Sequence, residues 1–460
     1  MRITNFYLVY LLFFTSTISL SKRILEVEPG KYIAVEGDNE KFLLRMQGHR
    51  FFDVTDVLGF EDECNSSWCQ SLKSFISFNL KAEPSFKKRS LLGPKVSFWD
   101  KYQLLSFQDF IFDDSILITH ERLPSTIQDD VRVVLPQKVT QEALFNLIYT
   151  KIEPVIKADL YNFINEFTQF YTRFYKSLFG KQASDWLYSI INETITESVS
   201  NLPLLLQDFN LITVEKFEHK SFVQNSILIK IKGKNTIEKS AAAKSIIVGS
   251  HLDSINLLLP YQLRAPGVDD NATGTSVTFM IFKAYLDYLV AAVKEESTNA
   301  DPLTNMWPTN DIEFHFYAAE EGGLLGSLDV FSSKASASEK VLAMLQLDQI
   351  GYNELKENGK IALMDDFVSK DVVTFTQKLL DTYVGVGYEI ASCGYGCSDH
   401  ASAYKFGFPS GMVMESIFKF DNKFTHSALD TVDRIDFDWL VEFTKLGLSF
   451  VLELALFTED

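Results

Sequence analysis

Apolar residues recur every three or four positions over 141–178 and again over 183–198, the period of helices with one inward face. From about residue 245 the rhythm changes. Short apolar runs at Ser245–Gly249, Ile312–Ala318, Leu342–Leu347 and Lys360–Met364 predict strands, while Gly274–Val293 and Phe367–Val384 predict helices. Alternation at these lengths implies an α/β fold: a mixed, mostly parallel central β-sheet sandwiched by helices. Trp439–Phe457 is apolar too, but Glu442, Lys445 and Glu453 interrupt it at a spacing that suits an amphipathic helix packed on the domain. The chain before about 130 is mixed and charged, without a chemical motif. The expected organisation is a leader over 1–21, a small propeptide-like or accessory N-terminal region over 22–132, and a main domain over 133–460.

Composition sharpens this at a few points. Hydrophobic residues at 46% support a large core. A formal charge of −18 excludes nonspecific binding to nucleic acid or anionic membranes, which needs a basic face. Met1–Arg2, the apolar run Phe6–Leu20 and the small residues Ser19 and Ser21 read as a removable signal peptide, too short to span a membrane. The mature chain is then secreted, or delivered to a vacuole or lysosome, without a stable membrane anchor. Cys64 lies near Cys69 and Cys393 near Cys397, so local pairing gives two small-loop disulfides, one of the three connectivities that four cysteines allow. Asn65 and Asn192 head glycosylation sequons. Asn271 heads another, but it stands among the candidate site residues and is expected to remain bare.

Those residues begin with Ala319–Glu320–Glu321–Gly322–Gly323, directly after a predicted strand. Adjacent acids alone are commonly a solvated turn. Here His251–Leu252–Asp253, Asp269–Asp270, Asp348 and His426 each stand beside an apolar run of their own. A lone His251 would be an ordinary strand-end histidine, yet Asp253 two residues on can orient its imidazole. One acid of Asp269–Asp270 could cap the following helix, but not both. Asp348 closes the run Leu345–Gln346–Leu347, and an acid ending a buried strand is costly unless paired or ligating. Open α/β sheets gather ligands at the carboxyl edge of their strands, so residues about 180 positions apart would share one rim. Acids gathered on one rim repel, by about 1–4 kcal/mol for like charges near 4 Å, and cations bound among them relieve that repulsion. Mixed imidazole and carboxylate donors suit zinc, with cobalt or manganese able to use the same atoms. The set reads as a metal-dependent hydrolase.

The stretches Gly249–Ser254, Ala265–Asp270, Ala318–Gly322, Leu345–Asp348, Cys393–His400 and Phe424–His426 closely resemble the secreted, co-catalytic di-zinc aminopeptidases of the bacterial and fungal leucyl-aminopeptidase type, peptidase family M28. Gln182–Trp186 matches their early helical segment, and the resemblance covers roughly 133–460. It implies the zinc-dependent exopeptidase fold and two Zn²⁺ per chain. His251 and Asp348 would hold one ion, Glu321 and His426 the other, and Asp270 would bridge them. Glu320 would be the general acid/base, taking a proton from the hydroxide-forming water and passing it to the departing amine. Asp253 would orient His251, and Cys393 would be bridged to Cys397 with Tyr395 between them near the substrate. Tyr395, Met412, Met414 and Phe418 match the family's apolar pocket, which fits a leucine-like or aromatic first residue, although each could equally be plain core. Gln349 stands where relatives often carry an apolar residue. Ser398, Asp399 and His400 are read as support around the ligands, and His49, His120, His219 and His315 receive no role. Expected partners are peptides with a free N-terminus, acted on by a monomer. A mono-zinc glutaminyl cyclase-like enzyme would lack the first-ion set. A carboxypeptidase needs a basic clamp, for which Arg264 and Lys423 are nearest, and a noncatalytic peptidase-shaped binding protein would have lost ligands.

Overall fold

The computed structural model describes residues 23–28, 31–35, 131–139, 153–200, 211–240, 242–296 and 307–458. The leader, His49, Cys64, Asn65, Cys69, His120 and most of 22–132 lie outside these residues. Arg23–Glu28 (β1) and Lys31–Val35 (β2) pair antiparallel. The other strands are β3 Ile212–Phe217, β4 Ser226–Ile231, β5 Ser245–His251, β6 Asp311–Tyr317, β7 Val341–Leu347, β8 Ile361–Met364, β9 Tyr388–Ala391 and β10 Ser410–Met414. They form one eight-stranded sheet in the order β3-β4-β6-β5-β7-β10-β8-β9. Its centre, β6-β5-β7-β10, is parallel, while β4 joins β6 and β8 joins β10 antiparallel.

The principal helices are α1 Glu153–Phe167, α2 Leu178–Val199, α3 Gly274–Glu296, α4 Leu325–Ser336, α5 Lys370–Tyr383, α6 His400–Lys405 and α7 Phe437–Ala455. Every residue of β5, β6 and β7 is buried. Parallel strands covered on both faces read as continuous apolar runs, and that is how they stood out in the sequence. Ile246, Val248, Phe314, Phe316 and Leu345 enter the larger core with α1, α3, α5 and α7. Ile247, Tyr317 and Met344 pack the other face against Val330 and Phe331 of α4 and Ala403 of α6.

Two expectations change. The helix read over 141–178 ends at Phe167, with 140–152 outside the described residues. After Phe167 the backbone leaves the helical path, Thr172 bridges Ala265, and Arg173 turns inward. The last helix presents no polar face: α7 is buried almost all round, with Lys445 on Glu442 at 2.8 Å and Glu453 accepting from the Tyr383 hydroxyl. Local pairing hides the charges that had marked a solvated side.

His315, within β6, and His219, just after β3, both lie in hydrogen-bonded structural settings. His315 lies between Glu313 at 2.8 Å and the Tyr317 hydroxyl at 2.9 Å, and Glu313 also accepts from Lys334 at 2.6 Å and Ser245 at 2.6 Å. His219 lies 2.8 Å from both Asp329 and Ser226. Asn192 sits within α2, its amide donating to the Tyr188 carbonyl at 2.7 Å. Cys393 and Cys397 are bridged.

Candidate functional site

β5, β6 and β7 are neighbours running in one direction, so their carboxyl ends open on a single edge. His251 ends β5, Asp348 follows β7 directly, and Glu320–Glu321 stand in the turn after β6. Asp270 lies in the irregular turn Val268–Thr273 ahead of α3, and His426 in the loop between β10 and α7. All five proposed ligands are buried. They form two triads: His251, Asp270 and Asp348 in one, Asp270, Glu321 and His426 in the other.

Asp270 splits its oxygens between them. Oδ1 lies 3.1 Å from His251 Nε2, which is 3.2 Å from Asp348 Oδ1. Oδ2 lies 2.7 Å from His426 Nε2, which is 3.2 Å from Glu321 Oε2. The donors fit a pair of divalent ions. Tetrahedral zinc with bonds of about 2.0–2.2 Å spaces its ligands about 3.3–3.6 Å apart, near most of these separations. His426 Nε2 meets no acceptor at hydrogen-bonding angles despite the carboxylates beside it, as expected of a lone pair aimed at a cation. Burial opposes charge on the two imidazoles, yet the surrounding carboxylates raise both well above the usual histidine range. The site thus attracts positive charge strongly. Burial pushes Glu321 up to about 7, and it pushes Glu320 well above the carboxylate range with help from Glu321, Asp348 and Asp399.

The supports are specific. Asp253 Oδ1 accepts from the Glu320 amide at 3.0 Å and Oδ2 from the Glu321 amide at 3.2 Å, both closer than His251 Nδ1 at 3.4 Å. Its main contact is therefore with the acid pair's backbone, beside the expected one to His251. Ala319, Gln349 and His426 hold φ of 54°, 46° and 61°. Such left-handed conformations are uncommon for residues with a side chain and mark strain stored where ligands are aimed. Gln349 Nε2 reaches Asp270 Oδ2 at 3.5 Å. Asp399 accepts from Gln346 at 3.0 Å behind the first triad, and His400 beside it is fully buried.

Two residues escaped the sequence reading. Asp430 accepts from the Asp269 amide at 3.0 Å and the Asp270 amide at 3.0 Å, fixing the acid shared by the two triads from behind. Arg173 donates from Nε to the Leu252 carbonyl at 2.9 Å, from Nη2 to the Gly267 carbonyl at 2.7 Å and from Nη1 to the Pro266 carbonyl. The only available signal was an acid four residues beyond His426; Arg173 offered none.

Tyr395, Met412 and Met414 share one apolar cluster with Cys393, and Phe418 packs against it. Arg264 is exposed, and Lys423 is engaged by the Phe418 carbonyl and Asp421. A separate cavity of about 560 Å³, lined by Arg132, Lys244, Lys340 and Phe408 among others, lies by the starts of β5 and β7, away from this chemistry.

The profile described as Peptidase family M28 matches residues 226–451. A chain described as a probable aminopeptidase of Saccharomyces cerevisiae is 39% identical over 304 residues, 66% of this chain and 74% of that one. Leucine aminopeptidase 1 of Ajellomyces capsulatus is 39% identical over 303 residues, 65% of this chain and 71% of its own. Among solved structures, LapB from Legionella pneumophila superposes with a TM-score of 0.60 at 26% identity, covering 76% of this chain and 82% of that one.

Proposed function

This chain belongs to peptidase family M28, and from that premise we propose a zinc aminopeptidase that works with two ions and removes leucine-like or aromatic residues from the free amino end of peptides. One observation carries the two-ion reading: Asp270 gives one oxygen to each of two buried triads. His251 and Asp348 would hold one ion, Glu321 and His426 the other. Zinc, when bound, supplies Lewis acidity toward water and the scissile carbonyl.

The remaining work belongs to side chains. Glu320 lies in neither triad and is held beside both through Asp253, so its carboxylate accepts a proton from water and returns it to the departing amine. With the ligand carboxylates offset by the ions, the free α-amino group of a peptide would be held at the ion site, so that only the first residue is cut. The cluster of Tyr395, Met412, Met414 and Phe418 supports an apolar side chain at that position.

We also assign residues 1–21 to export, 22–132 to a propeptide-like or accessory region, and glycans to Asn65 and Asn192. The working unit is a monomer outside the cell or in a vacuole or lysosome. The test is a panel of amino-acid amides with purified full-length protein, with and without chelator. The expected outcome is fastest hydrolysis of leucine amide, lost on chelation and restored at two zinc ions per chain. Chelator-insensitive hydrolysis contradicts the reading. So does a single tight zinc with cyclisation of N-terminal glutamine and no amide hydrolysis, the cyclase outcome.

A further inference from the structure

Arg173 is fully buried, yet its guanidinium is spent on carbonyl oxygens and not on a carboxylate. Those carbonyls belong to Leu252, in the loop carrying His251 and Asp253, and to Pro266 and Gly267, in the turn carrying Asp270. Its backbone amide donates to Ser254 Oγ at 3.0 Å, and that hydroxyl donates to the Ala265 carbonyl at 2.8 Å, repeating the tie between the same two segments. Neutral donors could make such ties. The Phe167 ring lies 4.5 Å from the guanidinium carbon, but a buried full charge with no carboxylate in contact is costly unless a nearby field supports it. The field is present: Asp430, Asp253, Asp270 and Glu321 all act on the guanidinium, which remains charged at neutral pH despite burial.

We propose that Arg173 is a positioning residue with a resident countercharge, holding the acid-rich ligand loops in register while the metal centre is empty. The inference rests on the two-ion reading above and adds a thermodynamic consequence. In the metal-free protein the guanidinium offsets uncompensated carboxylates. Once ions neutralise Asp270 and Glu321, the same charge has less to offset, Asp430 and Asp253 staying beside it in both states, and it opposes the incoming cations. The hydrogen bonds to carbonyls involve no ligand side chain, so the ions do not compete for them. Removing the charge therefore harms the empty protein more than the loaded one, and linkage makes the variant more dependent on zinc for its stability.

The experiment compares thermal midpoints of full-length wild type, Arg173→Gln and Arg173→Lys, each loaded with zinc and after chelation. Glutamine keeps a donor and loses the charge; lysine keeps the charge and loses the planar fork. The chelator-induced fall in Tm should be about 3–6 °C larger than wild type in Arg173→Gln and close to wild type in Arg173→Lys. An Arg173→Gln protein that folds only with zinc agrees as well. Equal losses in the loaded and empty forms of Arg173→Gln overturn the countercharge and leave a purely structural tie. Where Arg173→Gln folds in neither form, Arg173→Lys decides: a fall like wild type supports the inference and an enlarged one overturns it. A wild type indifferent to both zinc and chelator is a different failure, removing the metal centre and the countercharge together.

Discussion

Glu320 separates chemistry from architecture at the scale of one residue. Its backbone amide is tied to Asp253, and its side chain is outside both triads. Glu320→Gln is therefore expected to keep wild-type zinc content while kcat falls about 10²–10⁴-fold. Metal analysis beside steady-state kinetics checks both halves, and full activity in the variant rejects the assignment. The two buried triads were legible because each of their acids and histidines stands next to its own apolar run. Arg173 and Asp430 were not. Their partners lie 79 to 94 and 160 to 161 positions away, contacts that only the folded chain creates.

Between residue and molecule, the turn that carries Asp270 depends on Gly267. Its φ is +52°, and an added Cβ would sit 2.4 Å from Ser254 Cβ and 2.5 Å from the Asp270 carbonyl oxygen. Gly267→Ala should cost at least about 1–3 kcal/mol and weaken zinc binding together with stability. Thermal melts and zinc titration measure the two, and an unchanged Tm with unchanged affinity contradicts the account.

Strand β6 shows what periodicity alone could not convey. Glu313 and His315 alternate with apolar residues as a solvated face would, yet both are buried against Lys334 of α4. Burial opposes charge on Glu313, but Lys334, His315 and Lys230 hold it well below the carboxylate range, while burial holds His315 below its ordinary 6.5. Both folded values are depressed, so the unfolded chain takes up protons first. Stability from His315 is present above about pH 6.5 and declines as pH falls below it, at up to about 1.4 kcal/mol per pH unit. Glu313 adds its own loss below about pH 4.5. Denaturant melts of wild type and His315→Gln from pH 7 to 5 should differ by that slope, the wild type losing more stability than the variant as pH falls. Glu313→Gln, which leaves Lys334 without its nearest counter-ion, should cost about 3–5 kcal/mol at pH 7.

Over the whole molecule, the order of motifs along the chain already implied the architecture, because parallel strands bring their carboxyl ends to one edge. The short strands β3, β4, β9 and β10 were not read in advance. β3 and β9 are half-exposed edges without a buried face to impose a pattern. β10 is five buried residues, too brief to distinguish from a loop next to a core. The claim that unites the parts is that one carboxylate, Asp270, joins two cation sites. Anomalous scattering at the zinc edge from crystals of zinc-loaded protein tests it most directly. The account predicts two peaks about 3.5–4 Å apart, one against His251 and Asp348, the other against Glu321 and His426, both touching Asp270. A single peak, or a pair that Asp270 does not join, would contradict it.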